Sequence, residues 1–172
     1  MFGFGKKKKE KEARLLELQN ILLADKYDKL ITTEKNLMQF ANDKIEQNNR
    51  ISAESSKLLQ TTTKPDVFFG RIKLLEEKTN ELVMLEKYIT FSEPKPSQVF
   101  EVFTKEKSMV TDLFLTRYFN SVLDKVETLK TDSAKNKNIQ KCYDTLKPYF
   151  DRMSENNVLY VEKFYNQHYK KD

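Results

Sequence analysis

Glycine is nearly missing from this chain. Of 172 residues only Gly3, Gly5 and Gly70 are glycine, and none follows Gly70. Tight hairpin turns and phosphate-cradling loops need positive φ or close approach of a ligand to bare backbone, and glycine supplies both. A glycine-free run of over a hundred residues therefore excludes dinucleotide-binding and P-loop folds. What remains open to such a chain is helix, and the hydropathy pattern agrees.

From Leu16 a seven-residue repeat runs through Leu23, Leu30, Leu37, Lys44, Ile51 and Leu58. The adjacent column, Glu17, Ala24, Ile31, Met38, Ile45, Ser52 and Leu59, is mostly apolar too. Together they predict one apolar stripe on a long first helix ending near Gln60, with Asp25 as a place where it could break. Thr61 to Asp66 then reads as a stop and a start. Pro65 is accepted in a first turn, and Thr63 with Asp66 has capping-box spacing. The second helix carries Phe68, Ile72, Leu75, Leu82 and Ile89 on one face and is expected to end near Phe91. Ser92 to Ser97, with Pro94 and Pro96, is a linker with Ser97 as its cap. The third helix presents Val99, Phe103, Val110, Leu113, Leu115, Phe119, Val122, Val126 and Leu129, and stops around Thr131–Ser133. The fourth carries Ile139, Cys142, Tyr143, Leu146, Phe150 and Met153. Pro148 should kink or split it before the pattern resumes through Tyr160, Val161, Phe164 and His168. The expectation is all-α: an elongated bundle of four or five long helices with antiparallel neighbours. Residues 1–12 would be a flexible basic tail and 13–172 a single helical domain.

The leucine repeat behind a basic stretch has the outline of a basic leucine zipper. A parallel zipper, however, needs its second seam column apolar. Here that column is Asn20, Tyr27, Glu34, Ala41, Asn48 and Ser55. The basic stretch is also too short to fork across a major groove. A bundle helix is the better reading.

Net charge is +5, from 31 basic and 26 acidic residues. The excess sits in two places, an N-terminal cluster around Lys6, Lys7, Lys8 and Lys9 and a second patch containing Lys135, Lys137, Lys141 and Lys147. An electrostatic partner, nucleic acid or an anionic membrane surface, would meet the chain there. Phe2 and Phe4 beside the first cluster add the apolar contacts that a membrane-surface anchor needs. Phe2 occupies the position where a myristoylation signal requires glycine.

Catalytic chemistry is poorly supplied. His168 is the only histidine and Cys142 the only cysteine, so no intrachain disulfide and no cysteine-based zinc site can form. No Glu-x-x-His pair offers a helical metal site. Carboxylates such as Glu76, Glu77 and Glu81 alternate with Lys73 and Lys78, the pattern of a solvated helix face. No motif implies a cofactor, a metal or a small-molecule substrate. The reading is a non-enzymatic interaction or adaptor protein that meets a protein partner or a second copy of itself. The alternative is an electrostatic binder working through its N-terminal lysines. The expected surfaces are the first-helix stripe (Leu30, Leu37, Ile51, Leu58), Arg71 beside Gly70, where close approach of a second helix would explain the glycine, and the tyrosine-rich C-terminal part (Tyr149, Tyr160, Tyr165). No leader or membrane span is evident, so a cytoplasmic location is expected, peripheral to a membrane if the tail binds lipid. The excess of lysine over arginine suggests an AT-rich, bacterial coding sequence.

Overall fold

The computed structural model describes residues 10–18, 20 and 34–170, all helix or connecting turn with no strand among them. Residues 10–18 are helical, so the helix begins inside the stretch that the sequence assigns to the tail. Five further α-helices follow: α1 (Glu34–Thr61), α2 (Pro65–Leu85), α3 (Pro96–Glu127), α4 (Asp132–Leu146) and α5 (Glu155–His168). A 3-10 turn, Lys147–Arg152, separates α4 from α5. The expected first helix is therefore described over 10–18 and 34–61. Leu23, Asp25 and Leu30 lie outside the described residues.

The breaks follow from local chemistry. The α1–α2 corner is set by Pro65 at the first helical position, after Lys64 in extended conformation. The expected Thr63–Asp66 capping box does not form. Thr62 Oγ1 instead accepts the Lys64 backbone N–H at 3.1 Å, because proline shifts the helix start one residue onward. At α3 a proline at the first helical position moves the start the other way. Lys95, not Ser97, is the flanking residue and Pro96 opens the helix. Gln98 Oε1 accepts the Lys95 N–H at 2.7 Å, and the Ser97 N–H reaches across to Glu86 Oε1 at 2.6 Å. α2 ends at Leu85, earlier than Phe91, in a turn whose Tyr88 and Ile89 amides both bond the Leu85 carbonyl. α4 is capped by Thr131, whose hydroxyl accepts the Ala134 N–H. Pro148 splits the last helical pattern, and Ser154 with Asn157 builds a capping box that restarts it as α5.

Each helix packs on the next one in sequence, and α5 also returns to α3. Lys44 of α1 meets Glu81 of α2 and Glu76 of α2 meets Lys107 of α3, contacts consistent with successive helices running in opposite senses. Two cores result. The larger is Phe68, Phe69 and Ile72 of α2 with Phe114, Leu115 and Phe119 of α3, Ile139, Cys142 and Leu146 of α4, and Val161 and Phe164 of α5. Its rings interlock: Phe114 stacks on Phe68 at 4.1 Å between centroids and Phe164 stacks on Phe119 at 3.9 Å. The smaller is Leu18, Leu37 and Ala41 with Leu82 and Leu85 from the far end of α2 and Ile89 from the turn after it.

Two faces differ from expectation. On α1 the column that turns inward beside Leu37, Lys44, Ile51 and Leu58 is the polar one: Ala41, Asn48 and Ser55 are buried. The expected second column is largely outside it, with Met38 and Ser52 exposed. On α3, Leu113 and Val99 are exposed, whereas Phe114 is 0% exposed and Thr111 is buried. α3 is apolar on two faces, and the ring pair of α2 selects the one that carries Phe114.

Candidate functional site

The α3 face left outside is the largest departure from a satisfied surface. Val99, Val102, Met109 and Leu113 are between 43% and 58% exposed. At 3.6 residues per turn they fall within about 80° of one another around the helix. Only Glu106 interrupts them. An apolar stripe of this kind on a solvent-facing helix is what partner surfaces are made of.

A second feature lies along α4. An open groove of about 640 Å³ runs past Ser133, Lys137, Lys141, Asp144 and Thr145, with Tyr169 forming one wall. The wall is held in place by side-chain bonds. The Asn136 amide clamps the Lys170 backbone, donating from Nδ2 to its carbonyl at 2.7 Å and accepting its N–H on Oδ1 at 3.0 Å. The Tyr165 hydroxyl donates to Gln140 Oε1 at 2.6 Å, and Gln140 Nε2 donates to Asp144 at 2.9 Å. Tyr169 stacks on Tyr165, which in turn lies against Tyr143.

The polar cluster between α3 and α5 has a different character. Ser108 and Ser154 share a hydrogen bond of 2.9 Å, and Asn157 Nδ2 donates to Asp112 at 2.6 Å and to the Ser108 carbonyl. Asn157 also accepts the Ser154 N–H on Oδ1, while its own N–H bonds Ser154 Oγ. With Asn157 1% exposed, these groups cap α5 and dock it on α3, so each hydroxyl has a structural bond. Cys142 is buried in the aromatic core. Burial pushes its thiol up to about 12, against a smaller lowering effect of the Tyr118 hydroxyl bonded to it. A thiol so held stays protonated and is a poor nucleophile at neutral pH. His168 lies on the Phe164 ring at 4.8 Å. Among the described residues no group of three His, Cys, Asp or Glu side chains is arranged to hold a metal ion, and no helix is long and apolar enough to cross a membrane.

The residues picked out by sequence are distributed as follows. Leu37 is buried in the smaller core with Leu18, Leu82 and Leu85 and lines a pocket with Glu10, Arg14 and Tyr88. Ile51 and Leu58 are half-buried on the α1 seam. Arg71 is half-buried next to an exposed Gly70. A Cβ placed on Gly70 would meet nothing within 4 Å, so close helix approach does not explain that glycine. Tyr149 stacks on Phe69 at 4.5 Å beneath the Arg152 guanidinium, and Tyr160 meets Phe119 edge-on. These tyrosines plaster the outside of the aromatic core. Only Tyr165 reaches the α4 groove, through its bond to Gln140. Lys137 and Lys141 are brought together there, while Lys135 is half-buried on the neighbouring face. Lys6, Lys7, Lys8, Lys9 and Leu30 lie outside the described residues. Sequence reading missed Val102 and Met109, which were legible as a second apolar face on the third helix; Tyr169 belongs to the tyrosine-rich C-terminal part.

No protein-family model, curated protein or solved structure matches this chain.

Proposed function

We propose that this chain is a non-enzymatic interaction protein, a single elongated helical bundle that docks a protein partner, or a second copy of itself, on the outer face of α3. The observation that carries the reading is the Val99–Val102–Met109–Leu113 stripe, an apolar face that no other described helix covers. Supporting it is the state of the two side chains best suited to nucleophilic or acid–base chemistry. Cys142 is buried and protonated, and His168 rests on a phenylalanine ring. A cytoplasmic setting fits the reading. The second reading, electrostatic binding to nucleic acid or an anionic membrane, gains from Lys137 and Lys141, which make no ion pair with other described residues. Lys6 to Lys9 would extend that charge.

The test is a Val102→Asp/Leu113→Asp double variant. Both positions are exposed, so circular dichroism and thermal unfolding should match the parent closely. The parent should either sediment as a dimer or retain a protein from host lysate at high salt, and the double variant should lose that association at least tenfold. Association that survives the double variant but disappears with salt would move the function to the lysines.

A further inference from the structure

The α4 groove carries a proposal that rests on the second reading, electrostatic binding through the lysines, and is independent of the α3 face. Four features of it point to one class of ligand. First, Lys137 and Lys141 stand one helical turn apart on the exposed face of α4, about 5–6 Å between their Cβ atoms. Neither makes an ion pair with a described carboxylate, and Asp144, the one acidic side chain in the groove lining, is bonded by the Gln140 amide. Second, the groove is open and long. Ser133 to Thr145 is about 18 Å of helix, which suits an extended polymer better than an enclosed small molecule. Third, its hydrogen-bonding amides are already engaged: Asn136 clamps Lys170, and Gln140 joins Tyr165 to Asp144. Each amide is thus fixed in orientation by the fold and is not free to turn toward a particular base. Fourth, the wall is aromatic. One face of Tyr169 rests on Tyr165, and the half-buried ring closes one side of the groove.

Cations without carboxylate partners beside a fixed aromatic ring are the two elements of sequence-tolerant single-strand binding, one for phosphates and one for stacked bases. The groove's cations are lysines, which serve phosphate as point charges; planar carboxylate recognition is better served by arginine, and the groove has none. We infer that the α4 groove binds single-stranded nucleic acid without sequence preference, Lys137 and Lys141 holding successive phosphates and Tyr169 stacking a base.

The experiment is fluorescence anisotropy of labelled oligo-dT and oligo-rU with the full chain, over a salt series. Four variants are compared: Lys137→Gln/Lys141→Gln, Tyr169→Ala, Tyr169→Phe, and a tail variant with Lys6 to Lys9 changed to Gln. The lysine pair should lose at least tenfold in affinity and flatten the salt dependence, each lost phosphate contact removing about 0.7 from the slope of log K against log salt. Tyr169→Ala should lose about five- to a hundredfold with the slope unchanged, and Tyr169→Phe should restore most of it. Lys137 and Lys141 are exposed and Tyr169 is half-buried at the edge of the core, and circular dichroism checks that each variant is folded. The proposal is overturned if neither oligonucleotide binds at low salt, or if the tail variant abolishes binding while the groove variants bind as the parent does. It is also overturned if polyglutamate or phosphatidylserine vesicles displace the oligonucleotide equally well at matched charge, which would make the groove a general anion surface.

Discussion

The two ends of α2 are packed in opposite ways. Its first half inserts Phe68, Phe69 and Ile72 into a core of stacked rings and aliphatic side chains from three other helices. Its second half closes the smaller core with Leu82 and Leu85, and its seam with α1 also buries Lys44, Asn48, Ser55 and Thr79. At the first, nearly every contact removes apolar surface from water, and the rings add offset and edge-on contacts. At the second, buried groups must find hydrogen bonds or carry a desolvation cost. Some do: Lys44 donates to Glu81 at 2.8 Å, and Lys78 bonds the other oxygen of the same carboxylate. Others do not. Ser55 Oγ and Asn48 Oδ1 are buried with no hydrogen-bond partner among the described residues. The difference teaches that one helix can anchor a rigid core at one end and a weaker, polar seam at the other. Stability should therefore be graded along the molecule.

The largest effect tests that gradient directly. Phe114→Ala should cost about 3–5 kcal/mol, since the ring is fully buried and stacked between Phe68 and Tyr118. Leu37→Ala in the smaller core should cost closer to 2 kcal/mol. Urea unfolding of both variants would measure this, and a larger loss for Leu37→Ala would remove the contrast.

The polar seam has its own sign with pH. Burial alone would raise the Glu81 carboxyl, but the hydrogen bonds and charges of Lys44 and Lys78 together outweigh it and hold the group below its ordinary value of 4.5. A depressed carboxyl contributes stability above its unfolded pKa, and that contribution disappears as pH falls through the folded value. Glu81→Gln should therefore cost about 1–2 kcal/mol at pH 7. The gap between variant and parent should narrow on acidification below pH 4.5. A gap constant from pH 7 to pH 3 would show that the ion pairs contribute nothing to the seam.

The smallest effect has the opposite direction. Ser55→Ala removes a buried hydroxyl without a partner among the described residues and installs a better helix former. It should stabilise the chain by about 1 kcal/mol, read as a rise in the urea midpoint at unchanged slope. A loss of stability would mean that Ser55 has a bond in solution, and the seam would then be closer to the aromatic core in quality.

Much of the local structure was legible beforehand, and the reason is that its signals are short-range. Pro65, Pro96, Thr131 and Pro148 mark helix boundaries by steric and hydrogen-bonding effects within a few residues. Even there the proline, through its own preference for the first helical position, moved two caps by one or two residues. The site was far less legible. Tyr149 and Tyr160 looked like handles for a partner, because a tyrosine at the edge of a core and one at an interface have the same composition. Lys137 and Lys141 were visible as a charged pair, but the ring beside them comes from Tyr169, which follows α5 in the chain and reaches α4 only after the 3-10 turn reverses its course.

The sequence by itself determined that this protein is helical and where most of its helices stop. Glycine scarcity, seven-residue periodicity and four prolines are properties of neighbouring residues, and neighbouring residues decide helix. Which face of each helix turns inward was decided only by tertiary structure. α1 buries Ala41, Asn48 and Ser55, a column that hydropathy placed outside, because that is the column α2 meets when it doubles back. α3 buries Phe114 and leaves Leu113 to solvent because Phe68 and Phe69 stand opposite with rings to stack. A helix with two apolar faces has no local means of choosing between them. The choice belongs to the shape and chemistry of the helix that packs against it.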